Sequence, residues 1–223
     1  MTKIISIHVP KAGGTSTLAL WKQAFGEDRV LMDYDDPPGV PSATFLIDPI
    51  GWEANRPTKL SDHIQVVHGH FRPHKYDLLK DVFRFTMLRH PVDNLISTYC
   101  YWKKSELHGN PVHQYFLTKN LDVLALAKLP IIRCLYSDTY FGGWDTNRLD
   151  FIGKHETRTD DLRRLGKILG ISIDTQLHLN ATTPEGGDSE REDIVSNRGL
   201  MKQLTDLLSN DIRFYEKVVQ RYF

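Results

Sequence analysis

Ile4-Ile5-Ser6-Ile7-His8-Val9 is an apolar run that breaks at Pro10, and Leu18, Trp21 and Phe25 repeat after it at helical spacing. The pattern predicts a buried strand over 3–9 and a helix over 15–25, with Gly26 just past its end as a C-cap. From 27 to 62 no period survives: Pro37, Pro38, Pro41, Pro49 and Pro57 punctuate the stretch, anchored by Phe45 and Trp52. An irregular run of this length inside a compact domain reads as a functional loop region. Residues 64–68 and Val82 to Leu88 are the second and third strands. Pro91 then suits the first turn of a helix, which carries Val92, Leu95, Ile96, Tyr99 and Trp102 on one stripe. Residues 111–137 read as mostly helical.

Further on, Asp150 to Gly153 is a fourth strand and Thr159 the N-cap of a helix lined by Leu162, Leu165, Ile168 and Leu169 and ended by Gly170. Ile171 and Ile173 suggest a short fifth strand. The polar, acidic stretch 181–199 reads as a mobile loop. Leu200, Leu204, Leu207, Leu208, Ile212, Tyr215 and Val219 read as one last amphipathic helix. Strands alternating with helices predict an α/β fold, a central parallel sheet of about four to five strands with helices on both faces. In such sheets ligands lie beyond the carboxyl ends of the strands, which is where Lys11, His68 and Arg89 fall.

With 223 residues, 40% of them apolar, the chain can bury one full core, so a single domain over 1–223 is expected. Lys plus Arg balance Asp plus Glu, 28 against 28, which argues against a polyanion-wrapping surface and a nucleic-acid partner. Two cysteines, Cys100 and Cys134, are too few for a disulfide framework and fit a reducing compartment. The first strand begins by about residue 3, leaving no room for a signal peptide, and no apolar run reaches the ~18 residues a membrane span needs. A cytoplasmic protein without a membrane partner is expected.

The candidate chemistry starts where the first strand meets the first helix. In Pro10-Lys11-Ala12-Gly13-Gly14-Thr15-Ser16 the glycines let backbone N–H groups approach a ligand, the helix start adds partial positive charge, and Lys11 adds a full one. The fold is therefore P-loop-like, yet the loop is not a Walker A sequence, since Lys11 precedes the glycines instead of following them. No acidic partner for Mg²⁺ ends a neighbouring strand, as a triphosphate site requires. The competing reading is a plain strand–helix turn whose glycines serve packing. Arg89 at the end of the third strand and Ser97 about two turns into the next helix suit one phosphate met from two sides; read alone, they are a solvated arginine at a strand end and a serine on a polar helical face. Two separate anion sites imply a ligand with two separate phosphates.

The pair of signatures resembles the PAPS-dependent sulfotransferases, whose donor, 3′-phosphoadenosine 5′-phosphosulfate, carries a 3′-phosphate and a 5′-phosphosulfate. The resemblance assigns the loop Lys11, Ala12, Gly13, Gly14, Thr15 and Ser16 to the 5′-phosphosulfate, and Arg89 with Ser97 to the 3′-phosphate. His68-Gly69-His70-Phe71 is similar to the His-Gly-His strand end of the carbohydrate-sulfotransferase branch that contains heparan sulfate 2-O-sulfotransferase. Weaker echoes are Phe151-Ile152-Gly153-Lys154-His155-Glu156 and Leu179-Asn180, and His90 departs from the family's usual Asp. The resemblance implies that 27–62 and 105–150 are acceptor-side insertions, and that the acceptor is a hydroxyl on a carbohydrate or small metabolite.

It also implies His70 as general base, with an ordinary imidazole well suited to proton abstraction near neutral pH. His68 lies two residues earlier on the same strand face, to orient substrate or share the task. Lys11 would neutralise charge on the leaving oxygen. PAP is the expected product, and no metal is required. Other readings are a small-molecule kinase or nucleotide hydrolase using the same loop, a non-catalytic nucleotide-binding module, a structural histidine pair, and a metal triad of His68, His70 and His74, against which Pro73 interrupts the strand.

Overall fold

In the computed structural model of this chain, residues 2–34, 56–107, 110–173 and 189–221 are described. Five strands form one sheet in the order β2 (Val30–Asp33), β3 (Val66–Gly69), β1 (Lys3–His8), β4 (Val82–Leu88) and β5 (Phe151–Lys154), and every pair is parallel. The register sets Ser6 opposite His68 and Ile7 opposite Gly69 on one side of β1, and Ile7 opposite Thr86 on the other. The helices are α1 (Gly14–Phe25), α2 (Pro91–Lys104), α3 (Pro111–Thr118), α4 (Val123–Lys128), α5 (Pro130–Arg133), α6 (Arg158–Leu169), α7 (Ser189–Ser196), α8 (Arg198–Leu207) and α9 (Ser209–Val219).

Alternation along the strands divides the core. Ile4, Val66, Phe85 and Phe151 face Leu20 and Trp21 of α1 and Leu162 and Leu165 of α6. Ile5, Ile7, Val67 and Ile152 face Tyr136, Tyr140 and Val218. Helices thus cover both faces, as expected of a parallel sheet buried on each side. A separate apolar cluster gathers Leu95, Ile96 and Tyr99 of α2 with Phe116, Leu126, Ile194 and Leu204, so the helix after β4 carries its own helical lobe.

Several expectations need correcting. Ile171 and Ile173 form no strand. Gly166 lacks a Cβ, and the Ile171 carbonyl and Ile173 side chain lie 3.0 and 3.1 Å from where one would sit. The Ile171 N–H donates to the Gly166 carbonyl at 3.0 Å, so the segment folds back on α6. The remaining strand is β2, inside the stretch expected to be irregular; it is a short edge strand whose Met32 is 53% exposed, so alternation scarcely marks it. The last helix is two, α8 and α9, divided at Leu208. Within 181–199, residues 189–196 form α7, anchored by buried Ile194. α6 starts at Arg158, which makes Thr157, not Thr159, its N-cap residue. The expectations on Pro37, Pro38, Pro41, Phe45, Pro49, Trp52, residues 181–188 and Leu179-Asn180 lie outside the described residues. No disulfide joins Cys100 to Cys134. No described helix is long and apolar enough to cross a membrane.

Candidate functional site

β1 ends at His8, and the chain turns through Val9–Gly13 into α1. The turn uses two left-handed residues, Gly13 at φ 86° and Lys11 at φ 61°. For lysine that conformation costs on the order of 1 kcal/mol and is kept where surroundings enforce it. Here α2 and the segment before it enforce it. Asn94 of α2, 2% exposed, donates its side-chain amide to the Pro10 carbonyl at 2.7 Å, and the Arg89 guanidinium donates to the Lys11 carbonyl at 3.4 Å. Ala12 and Ser16 are buried, Thr15 is exposed, and Thr17 donates its hydroxyl to the Gly13 carbonyl at 3.0 Å. The first N–H groups of α1 have no intrahelical acceptor, which suits an anion.

Cations crowd this turn. The Lys11 ammonium lies over the Tyr101 ring, 3.7 Å from its centroid. A Cβ on Gly13 would sit 3.5 Å from Arg158 and 3.6 Å from His155. Burial, and then the Arg89 charge, pull the Lys11 pKa down; burial and then Arg191 do the same to Arg89, and burial followed by Arg89 to His155. Arg158 is lowered by burial as well. Groups that depress one another's charge in this way gain when an anion enters among them.

Arg89, the second expected anchor, is held from both sides. Tyr136 donates its hydroxyl to the Arg89 carbonyl at 2.8 Å, and the His90 N–H donates to Glu156 at 2.8 Å. Glu156, part of the weak echo after β5, therefore fixes the turn that starts α2. Ser97 is half-buried. It lies one turn after Asn94 and one turn before Tyr101, both of which touch the loop, so all three share the stripe of α2 that faces it.

The histidines meet at the same edge. His68 is 1% exposed; its Nδ1 pairs with the Ser6 hydroxyl at 2.8 Å, and that oxygen accepts from Trp21 at 3.0 Å. Among the described residues its Nε2 meets no partner at hydrogen-bond geometry, and the Gly14 backbone pulls its pKa up. Burial, then His70, push its pKa down to about 3, so it is a neutral ring in the interior. His70 lies just past the end of β3. Its Nδ1 is 2.8 Å from the His8 carbonyl, which can only accept, so Nδ1 carries the proton and Nε2 the lone pair. The Tyr140 oxygen, 3.3 Å from the same nitrogen, accepts a share of that N–H. His74 sits apart in the turn Pro73–Tyr76. Among the described residues no three His, Cys, Asp or Glu side chains are grouped to hold a metal ion.

Sequence reasoning missed the residues that hold the site. Chief among them is His8, whose signal is the register: with Ser6 opposite His68, His8 is carried alongside His70. The others are Asn94, Tyr101 and a π-helical turn, Leu135–Tyr140, that places Tyr136 on Arg89 and Tyr140 on His70. Such turns recur at functional sites. Asp211 of α9, 2% exposed, anchors this one by accepting from the Tyr136 and Ser137 N–H groups and the Ser137 hydroxyl at 2.8, 2.9 and 2.6 Å. Asp211→Ala strands those donors and is expected to cost roughly 2–4 kcal/mol in urea unfolding, with Asp211→Asn losing less. Equal stability in Asp211→Ala would remove the turn from the account.

Among solved structures, the chain is similar to a sulfotransferase from Alicyclobacillus acidocaldarius, at 14% identity and a TM-score of 0.42, over 94% of this chain and 96% of that one. It is also similar to mouse sulfotransferase SULT7A1 complexed with PAP, at 12% identity and a TM-score of 0.36, over 86% of this chain and 62% of that one. A search of the curated proteins finds no match. The sequence profile of the Sulfotransferase family matches residues 1–120, more than half of the chain and the part that holds the Lys11 loop, the two strand-end histidines, Arg89 and Ser97. This chain belongs to the sulfotransferase family.

Proposed function

We propose that the protein moves the sulfuryl group of PAPS to an acceptor hydroxyl, on a carbohydrate or small metabolite, in the reducing cytoplasm. The observation that carries the reading is the joining of two cationic anchors, Arg89 to the Lys11 turn, at the strand edge where His70 presents its Nε2. The donor set fits: N–H groups of Gly13 to Ser16 with the Thr15 and Ser16 hydroxyls suit the 5′-phosphate, and Arg89 with Ser97 suits the 3′-phosphate. PAPS supplies an activated sulfuryl group on a phosphate leaving group. His70 Nε2 takes the acceptor's proton as the new S–O bond forms and the bond to the phosphate oxygen breaks. Lys11 neutralises the charge gathering on that departing oxygen, an interaction realised mainly in the transition state. His68, buried beside His70 on Ser6, keeps that wall of the site in place. No step calls on a metal ion.

Thermal unfolding with PAP tests this reading. At about a hundredfold excess over Kd, PAP without Mg²⁺ is expected to add about 2.7 kcal/mol, a rise of roughly 5–10 °C in Tm. Arg89→Ala is expected to lose most of that rise. Stabilisation by ATP with Mg²⁺ and none by PAP would replace sulfuryl transfer with phosphoryl transfer. PAP binding without product from any of a panel of hydroxylated acceptors, checked by mass spectrometry, would leave a binding module.

A further inference from the structure

His8 takes no part in the transfer as described, yet the site is built around it. Its ring stacks between two others, 5.2 Å and 14° from His68 and 4.4 Å and 26° from His70. Its edge presses on the first residue of α1: a Cβ on Gly14 would lie 1.8 Å from its Cε1 and Nε2. Its Nδ1 is 3.2 Å from the Tyr34 hydroxyl, which fixes the ring's rotation, and Tyr34 also lies edge-on to His70, 4.9 Å away at 88°.

We propose that His8 is a positioning residue for the transfer, a spacer that seats the base His70 against the start of the donor loop. The proposal rests on the sulfuryl-transfer reading of this site. β3 ends at Gly69, so the ladder does not hold His70. Two of its holds belong to His8, the carbonyl that takes the Nδ1 proton and the ring face it lies on, beside the Tyr140 oxygen and the edge of Tyr34. Because the same ring rests on Gly14, the base is located relative to the helix start that receives the donor. Burial, then the neighbouring His70 and His68, keep His8 neutral, so it does not compete for the acceptor's proton. Flat-ring packing is the property that matters, and phenylalanine supplies it without the ring nitrogens.

The test uses the full chain with ¹⁵N-labelled histidine, PAP and PAPS. In the parent protein His70 is expected as a single tautomer with its proton on Nδ1. His8→Ala keeps the carbonyl but removes the ring face, and is expected to broaden the His70 ring-nitrogen signals and to lower the rate of PAP formation from PAPS with a panel of hydroxylated acceptors about 10–100-fold, as misplacement by about 1 Å does. PAP affinity is expected to stay within about twofold. His8→Phe is expected to restore sharp His70 signals and most of the rate. A folded His8→Ala that keeps the parent's sharp His70 signals and the parent rate overturns the proposal, as does a His8→Phe as impaired as His8→Ala. Where His8→Ala does not fold, His8→Leu, a filler without a flat face, serves in the same comparison. A parent that binds no PAP removes the transfer reading, and the role assigned here with it. A parent that binds PAP and transfers, beside an unaffected His8→Ala, removes only the role of His8.

Discussion

His70→Ala is expected to lower turnover by about 10²–10⁴-fold while PAP affinity stays within about twofold. The asymmetry follows from where the ring sits. Its Nδ1 proton goes to the His8 carbonyl, its face rests on the His8 ring, and the cationic anchors belong to other strand ends, Lys11 after β1 and Arg89 after β4. Removing the imidazole therefore takes away the proton acceptor and leaves the nucleotide's contacts in place. His68→Ala should behave differently: that ring is interior, joined through Ser6 to Trp21, and its loss opens a cavity and shows first in Tm. Rates measured at saturating PAPS, beside PAP titrations of both variants, separate the cases. A His70→Ala protein that keeps the parent's turnover would exclude His70 as the base.

Gly69→Ala is expected to cost about 3 kcal/mol in urea unfolding, and more activity than that loss explains. The glycine between the two histidines is a matter of clearance. A Cβ there would lie 1.8 Å from the Asp33 carbonyl oxygen, a backbone atom of β2 that no side-chain rotation can move aside. Relief requires β2 to separate from β3, and Asp33 is the residue that accepts from Lys75 at 2.8 and 2.7 Å and from Tyr76 at 2.7 Å. His70, the next residue, would move with the strand end. A Gly69→Ala protein with parental stability would show that the edge strand yields freely.

What was readable in the sequence was local. The Lys11 loop, the strand before it, and the Arg89–Ser97 segment each announce themselves within about a dozen residues, through apolar runs, glycines and a proline at a helix start. What was hidden depended on distant pairing. β2 offers only Val30, Leu31 and Met32, at an edge where two of the three side chains face outward, so periodicity had little to register. The division of α8 from α9 was invisible because Leu208, 1% exposed, continues the apolar stripe straight through the bend. Ile171 and Ile173 mimicked a strand because burial against a bare glycine selects the same residue types as burial in a sheet. His8 looked like the end of a strand, and only the register with residues 66–69 shows it to be the neighbour of His70.

The central place of β1 carries a consequence for synthesis. Of the five strands it is made before the other four, and both of its partners come later: the carbonyl of His8 waits for a side chain 62 positions downstream, and the side of β1 that pairs with β4 waits until Leu88 has been made. At ~5–20 residues per second, 62 positions take roughly 3–12 s. During that interval the Ile4–Val9 run has no sheet to join, which makes it a target for chaperones and, in crowded nascent chains, for aggregation. A chain arrested before Leu88 contains every residue of the donor loop but neither a complete β4 nor the Arg89 and Asn94 side chains that hold the loop in shape.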